Sequence, residues 1–407
     1  MAWQTGLYRA TSRALVLVAP MLLRKRLRRG KEDPARWREK MGEASLTRPE
    51  GPLVWLHAVG LGEVLALRGL IEAMAQERRD LNFLVTSSAR SSGQVMAQQL
   101  PPRTQHQFLP LDVPQYLDRF LAHWRPSLSI WAEQDLWPNA VISADRNDVP
   151  LAMVNARMNA AALQKRLKGR AIYADLLQRF RLIAAQDAET AQNLQRLGAG
   201  AVEVTGSLKA AAPALAVDEA VLRKAREAFA GRPLWLLASS HPEDEAVALA
   251  AAGSGRLLVI APRDPPRAPE IAAAARAKGL KVALRSLDQS PQGADVYIAD
   301  TYGEMGLWYR LCPLAVIGGT FGPTEGHNPW EPAALGCAVL HGPRVANFAG
   351  DYAQLQAQGA VLQITPEALG PALLADHSDR AAKALALSQA AKGSLAPLAR
   401  AVLKVMQ

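Results

Sequence analysis

Two cysteines in 407 residues, Cys312 and Cys337, share no metal-ligand spacing, so neither a disulfide framework nor a zinc site is supported. Both sit in apolar or glycine-rich surroundings, as befits a reducing compartment. The N-terminal apolar run, residues 14–23, is ten residues long and contains Pro20. It falls well short of the roughly 20 residues that span a bilayer. Net positive charge is scarce outside the first fifty residues: these hold twelve Lys/Arg against five Asp/Glu, so +7 of the net +10 lies there. With aromatics at 6%, no extended basic groove with stacking side chains is indicated, and nucleic acid is not an expected partner.

What is there is an ordinary globular composition, 49% hydrophobic and 21% charged, long enough for two or three domains. The N-terminal stretch "GLYRATSRALVLVAPMLLRKRLRRGK" has "RKRLRR" after its apolar run, where a secretory signal would have a small-residue cleavage site. An interfacial helix over residues 1–30, its cationic side on anionic head groups, is the expectation. A solvated charge run capping a buried helix is the other reading.

Beyond it, short apolar strands alternate with Ala/Leu-rich helices: "PLVWLHA", "NFLVTSS" before "GQVMAQQL", "LSIWAEQ", "PLAMVNA", "RLIAAQ". A second series runs "PLWLLASS", "RLLVIAP", "KVALRS", "ADVYIAD", "LAVIGG", "AVLHGP". This is the rhythm of parallel sheets covered on both faces, so the fold class is α/β with two doubly wound, Rossmann-like domains meeting near residues 206–232. Their boundaries are expected at 31–215 and 216–407. Ligands of such sheets bind at the carboxyl ends of the strands, and two facing sheets would make a cleft.

The unusual residues collect at those strand ends. "HAVGLGE" sets His57, Gly60, Gly62 and Glu63 on a turn whose free N–H groups suit an anion, although Glu63 could equally serve as a helix-dipole partner. "PRDPP" is either a proline turn with Arg263 in a surface ion pair or a ligand contact. In "GHNPWEP", Asn328 and Glu331 stand one helical turn apart if a helix begins there, with Pro329 at a tolerant early position and Asn328 as cap.

Taken in order, these stretches resemble the 3-deoxy-D-manno-octulosonic acid (Kdo) transferase family of lipopolysaccharide assembly. The resemblance runs through "HAVGLGE" (57–63), "EQDLWPN" (133–139), "NAR" (155–157), "TGSLK" (205–209), "ASSH" (238–241), "PR" (262–263), "DTYGE" (300–304), and "GG" with "GHNPWEP" (318–319 and 326–332). It implies a GT-B fold and transfer of Kdo from CMP-Kdo to the lipid A precursor with inversion, at the cytoplasmic face of the inner membrane. Neither cofactor nor metal is implied, and no Asp-x-Asp motif stands at these strand ends.

The resemblance also implies roles. Glu63 would be the general base, and Glu133 and Lys209 would stabilise the transition state. Pro262, Arg263, Gly303, Glu304, Met305, Asn328, Pro329, Trp330 and Glu331 would hold the CMP donor in the second domain. His57, Gly60, Gly62, Asn155 and Arg157 would line the acceptor side in the first. The chain departs from the family pattern at Gly60, where Ser is usual, at Gln134 and Asp135, where Thr-Glu is usual, and at Asp264, where His is usual. The loss at Gly60 bears on acceptor preference, and Asp264 sets a negative charge beside Arg263. Two other classes remain compatible with the residues, a GT-B enzyme using a UDP-sugar and a non-catalytic membrane-bound scaffold.

Overall fold

A computed structural model describes residues 3–59, 61–88, 100–133, 136–253 and 255–407. Gly60, Gln134, Asp135 and most of the expected helix "GQVMAQQL" therefore lie outside the described residues. The chain forms two compact units, residues 1–212 together with 391–407, and residues 213–390.

The first unit holds a seven-stranded sheet of order β3-β2-β1-β4-β5-β6-β7. Its strands are β1 Leu53–His57, β2 Asn82–Ser87, β3 Thr104–Phe108, β4 Leu128–Ala132, β5 Leu151–Ala156, β6 Leu182–Ala185 and β7 Glu203–Val204. The pairings are parallel throughout. Side chains alternate across a strand, so Val54 and Leu56 enter one core while Leu53 and Trp55 enter the other. Burial on both faces is why these strands read as unbroken apolar runs. One core is closed by the helix Leu61–Glu77, with Leu67, Leu70 and Met74, and by the helix Leu395–Lys404, with Leu398, Val402 and Leu403. The other is aromatic: Trp55 meets Phe120 at 4.9 Å and Trp131 at 5.5 Å between ring centroids.

The second unit repeats the plan in the order β10-β11-β9-β8-β12-β13-β14. Its strands are β8 Leu234–Ser240, β9 Leu257–Pro262, β10 Val282–Leu284, β11 Val296–Ile298, β12 Leu314–Ile317, β13 Ala338–His341 and β14 Val361–Gln363. In both sheets the chain starts at a central strand, winds to one edge, then returns to wind the other way. The reversal falls between β1 and β4 in the first unit and between β8 and β12 in the second.

Three expectations change. The first unit reclaims residues 391–407, because the apolar stripe of Leu395–Lys404 completes the face beside Leu61–Glu77. The division falls after Ala212 rather than at 215. Strands β3, β7 and β14 were not expected, being polar or very short edge pieces without an apolar run.

At the N-terminus the helices Trp3–Arg13 and Leu15–Arg28 follow one another, the second continuing through Pro20. The first is inverted in polarity, while the second buries the apolar Ala19 and Leu23 against Met41, Val113 and Tyr116. Thr5, Arg9 and Ser12 are buried, while Trp3, Leu7, Leu15, Leu17, Val18, Met21 and Leu22 are exposed. The polar side is fastened to the body: Tyr8 donates to Asp112 at 2.8 Å, and Asn139 donates through Nδ2 to Ser12 Oγ at 2.9 Å. Asp112 also accepts the Asn139 and Ala140 backbone N–H groups, capping the helix Pro138–Arg146 from another part of the chain. Arg24, Lys25, Arg26, Arg28 and Arg29 are exposed beyond the apolar set. No helix among the described residues is long and apolar enough to cross a membrane.

Candidate functional site

In the first unit the reversal point gathers two carboxylates and an ammonium. Glu63 lies in the first turn of Leu61–Glu77 and accepts the Val59 N–H at 3.1 Å, which holds it at the carboxyl end of β1. Glu133 comes directly after β4 and is 7% exposed. Lys209 Nζ reaches Glu133 Oε1 at 2.8 Å, and Asn155 Nδ2 approaches the same oxygen at 3.4 Å. Asn155 in turn accepts the Leu208 N–H at 2.9 Å, tying segment 205–209 to the end of β5. Burial pushes the Glu133 carboxyl above the usual carboxylate range; Lys209 opposes the shift, and the neighbouring Glu63 charge adds to it. Arg157 contributes a further positive charge to this group.

Glu133 and Asn155 have φ of +63° and +54°, a left-handed backbone that costs non-glycine residues free energy. At these positions Glu133 reaches Lys209, and Asn155 reaches Glu133 and the Leu208 N–H. Ser239, near the end of β8, has φ of +55°, so the second unit bends its chain at the corresponding strand. Residue types do not announce this conformation, and reading the sequence missed it.

His57 ends differently from its expected place in the acceptor group. It is 1% exposed, its Nδ1 lies 3.0 Å from Thr86 Oγ1, and burial pushes its pKa down to about 3. It is a neutral core residue beneath the strand end. Gly62 lies in the first turn of the helix that carries Glu63.

In the second unit Arg263 leaves the end of β9 exposed, its N–H bound to Ser240 O at 3.1 Å beside buried Pro262. Asn328 Oδ1 accepts the Trp330 N–H at 3.0 Å, and its Nδ2 reaches Glu331 Oε1 at 3.4 Å. Burial raises the Glu331 carboxyl, with Asn328 and the Arg263 charge opposing. The expected helix after Asn328 is a single turn, Trp330–Ala333, preceded by Pro329 and stopped by Gly336 at φ +70°. Its dipole is correspondingly small. Gly318 holds two strand ends together, since a Cβ there would stand 2.3 Å from Ser239 O.

Gly303, Glu304 and Met305 open the short helix Met305–Leu311, Gly303 at φ +82°. Glu304 is turned away from the role of ligand partner. Arg285 holds its two oxygens at 2.9 and 3.1 Å and Thr301 donates to it, so despite burial its pKa lies below the ordinary value. Ser286 binds Asp300 in the same manner, through N at 2.8 Å and Oγ at 2.6 Å. Both acids of "DTYGE" thus fasten the loop. Arg285 was not identified from sequence, since a lone arginine after a short strand carries no motif.

No group of three or more His, Cys, Asp or Glu side chains suited to a metal occurs among the described residues.

The sequence profile of 3-deoxy-D-manno-octulosonic-acid transferase (kdotransferase) matches residues 35–212, ending where the first unit's leading segment ends. The chain is 35% identical over 358 residues to a probable mitochondrial 3-deoxy-D-manno-octulosonic acid transferase of Arabidopsis thaliana, covering 84% of this chain and 80% of the relative. It is 34% identical over 384 residues to the 3-deoxy-D-manno-octulosonic acid transferase of Bordetella pertussis, covering 88% and 87%. Among solved structures, UDP-GlcNAc 2-epimerase from Neisseria meningitidis bound to UDP-GlcNAc superposes with TM-score 0.57 at 13% identity, covering 87% of this chain and 99% of that one. A glycosyltransferase from Rickettsia africae superposes with TM-score 0.53 at 10% identity, covering 88% and 98%. Likeness at that identity concerns the fold, which is GT-B.

Proposed function

Because this chain belongs to the 3-deoxy-D-manno-octulosonic acid transferase family, we propose that it transfers Kdo from CMP-Kdo to a lipid A precursor with inversion at the anomeric carbon. The observation that carries the assignment of roles is the meeting of Glu63, Glu133 and Lys209 at the reversal point of the first sheet. An acceptor hydroxyl is a weak nucleophile, and Glu63 takes its proton as the bond to the sugar forms. Lys209, held by Glu133, supplies positive charge for the departing phosphate, while the Glu133 carboxylate bears on the developing oxocarbenium ion. Asn155 sets the position of Glu133, and Arg157 belongs with the acceptor.

The second unit binds the nucleotide. Arg263 and Pro262 meet it at the end of β9, the backbone of residues 303–305 lies against it, and Glu331 accepts from the ribose hydroxyls with Asn328 beside it. Glu304 serves through its backbone, its carboxylate being held by Arg285.

The N-terminal helical segment sits on the cytoplasmic face of the inner membrane. Its outward apolar side chains enter the interface, and the arginines and lysine after them meet anionic head groups, each adding about 1 kcal/mol. The support is the exposed apolar set of the two helices, Trp3, Leu7, Leu15, Leu17, Val18, Met21 and Leu22.

Incubation with CMP-Kdo and a lipid A precursor, with mass measurement of the product, tests the reading. The expected product is heavier than the acceptor by whole Kdo residues. Turnover with a UDP-sugar instead would assign another donor, and no transfer with any donor would favour a scaffold.

A further inference from the structure

The two histidines at the reversal point of the second sheet have no place in the scheme so far. His241 comes directly after β8, and His327 lies in the loop after β12. Their Nε2 atoms are 2.9 Å apart and their rings are nearly parallel, 10° between planes. Both are half-buried and within reach of solvent. Each is fixed from behind: the His241 N–H is held by Asp244 Oδ2 at 2.9 Å, and the His327 carbonyl accepts from Tyr352 Oη at 3.0 Å.

Two facing imidazole nitrogens share one N–H in the neutral pair; one further proton makes the pair cationic, so an anion beside it favours the charged form. The surrounding charges do not provide that anion. Burial pushes His327 down to about 4, with the charges of His241 and of Arg263, from the end of β9, adding to the shift. From the helix Pro242–Ala251, Asp244 spends its carboxylate on the N–H groups of His241, Gly319 and Phe321. Glu243 of the same helix lies against Gly322. Glu331 faces Arg263 and bonds to Asn328. Asp351, from the helix Ala349–Ala357 that carries Tyr352, accepts from Trp330 Nε1 at 2.7 Å. His341 bonds to Gly342 O and packs tilted against Tyr352, with 50° between the ring planes. A base pair set beside an exposed arginine, without a carboxylate bonded to it, lacks an anion.

We infer that His241 and His327, with Arg263, receive the donor's phosphate and take up one proton from solvent as it binds. This rests on the reading of the second unit as the nucleotide site. The one-turn helix after Asn328 offers the phosphate little dipole, so within the second unit its charge is met by these side chains. Uptake of a proton on binding makes affinity fall as pH rises, by up to about tenfold per unit.

The test is calorimetric titration of the full chain with CMP and with cytidine, in buffers of different ionisation heat, for the parent, His327→Gln and His241→Gln. The expected result is proton uptake with CMP in the parent, in excess of that in either variant, and none with cytidine. A steeper loss of CMP affinity in the parent between pH 6 and 8 should accompany it. CMP binding with equal proton exchange in parent and both variants overturns the inference and leaves the nucleotide site standing. A parent that binds no CMP removes the nucleotide-site reading and the inference with it.

Discussion

The first and second units wind their sheets about the same kind of reversal, β1 against β4 and β8 against β12, yet the side chains delivered there differ in sign and in wetness. The first unit sets carboxylates together, one of them nearly buried on a lysine. The second sets out an exposed arginine and a half-buried imidazole pair, its nearest buried carboxylate bonded to three backbone N–H groups. One backbone plan therefore presents two different sets of side chains, which suit the proposed proton removal in one unit and the proposed anion binding in the other, and the loop residues at the carboxyl end of each strand set the difference.

The sharpest way to break this division is Glu63→Gln, expected to lower kcat by about 10²–10⁴ while CMP affinity, measured calorimetrically, stays near the parent value. A matching loss of CMP affinity would mean that the two tasks are not divided between the units. Next comes Lys209→Ala, which leaves Glu133 buried without its cation. A loss of about 3–5 kcal/mol is expected in denaturant unfolding, partly restored by adding Glu133→Gln. If the double variant is no more stable than the single, the pair is not what holds segment 205–209. Glu331→Gln probes the other side, with CMP binding weakened roughly tenfold to a hundredfold by loss of a charged hydrogen bond, and unfolding of the first unit unchanged. The smallest effects belong to Leu17→Asp and Met21→Asp: sedimentation with anionic vesicles should fall, while CMP affinity and turnover of a detergent-dispersed acceptor remain.

Much of this division can be read from the amino acids, and the exceptions have physical causes. The buried strands β1, β4, β8 and β12 are apolar on both faces and announce themselves, and the Gly, Pro, Asn and Glu clusters after them mark the ligand ends. The edge strands β3, β7 and β14 bury too little to leave an apolar run. His57 resembles a site residue in sequence because it is the last residue of a strand; its side chain points into the core, and pleat direction at a strand end is not a matter of composition. Contact between His241 and His327 depends on which two strands flank the reversal, and the order of strands is not the order of the chain. The helix expected after Asn328 is cut to the turn Trp330–Ala333 because Pro332 and Gly336 both stand against a longer one.

The return of residues 391–407 to the first unit has a consequence for biosynthesis. The helix Leu61–Glu77 and the sheet beneath it leave the ribosome early, but the Leu398 and Val402 stripe that shares their core emerges only after the second unit has been made. The unit begun first is therefore finished last. Throughout translation of residues 213–390 the nascent chain carries an apolar face that only the carboxyl-terminal helix covers.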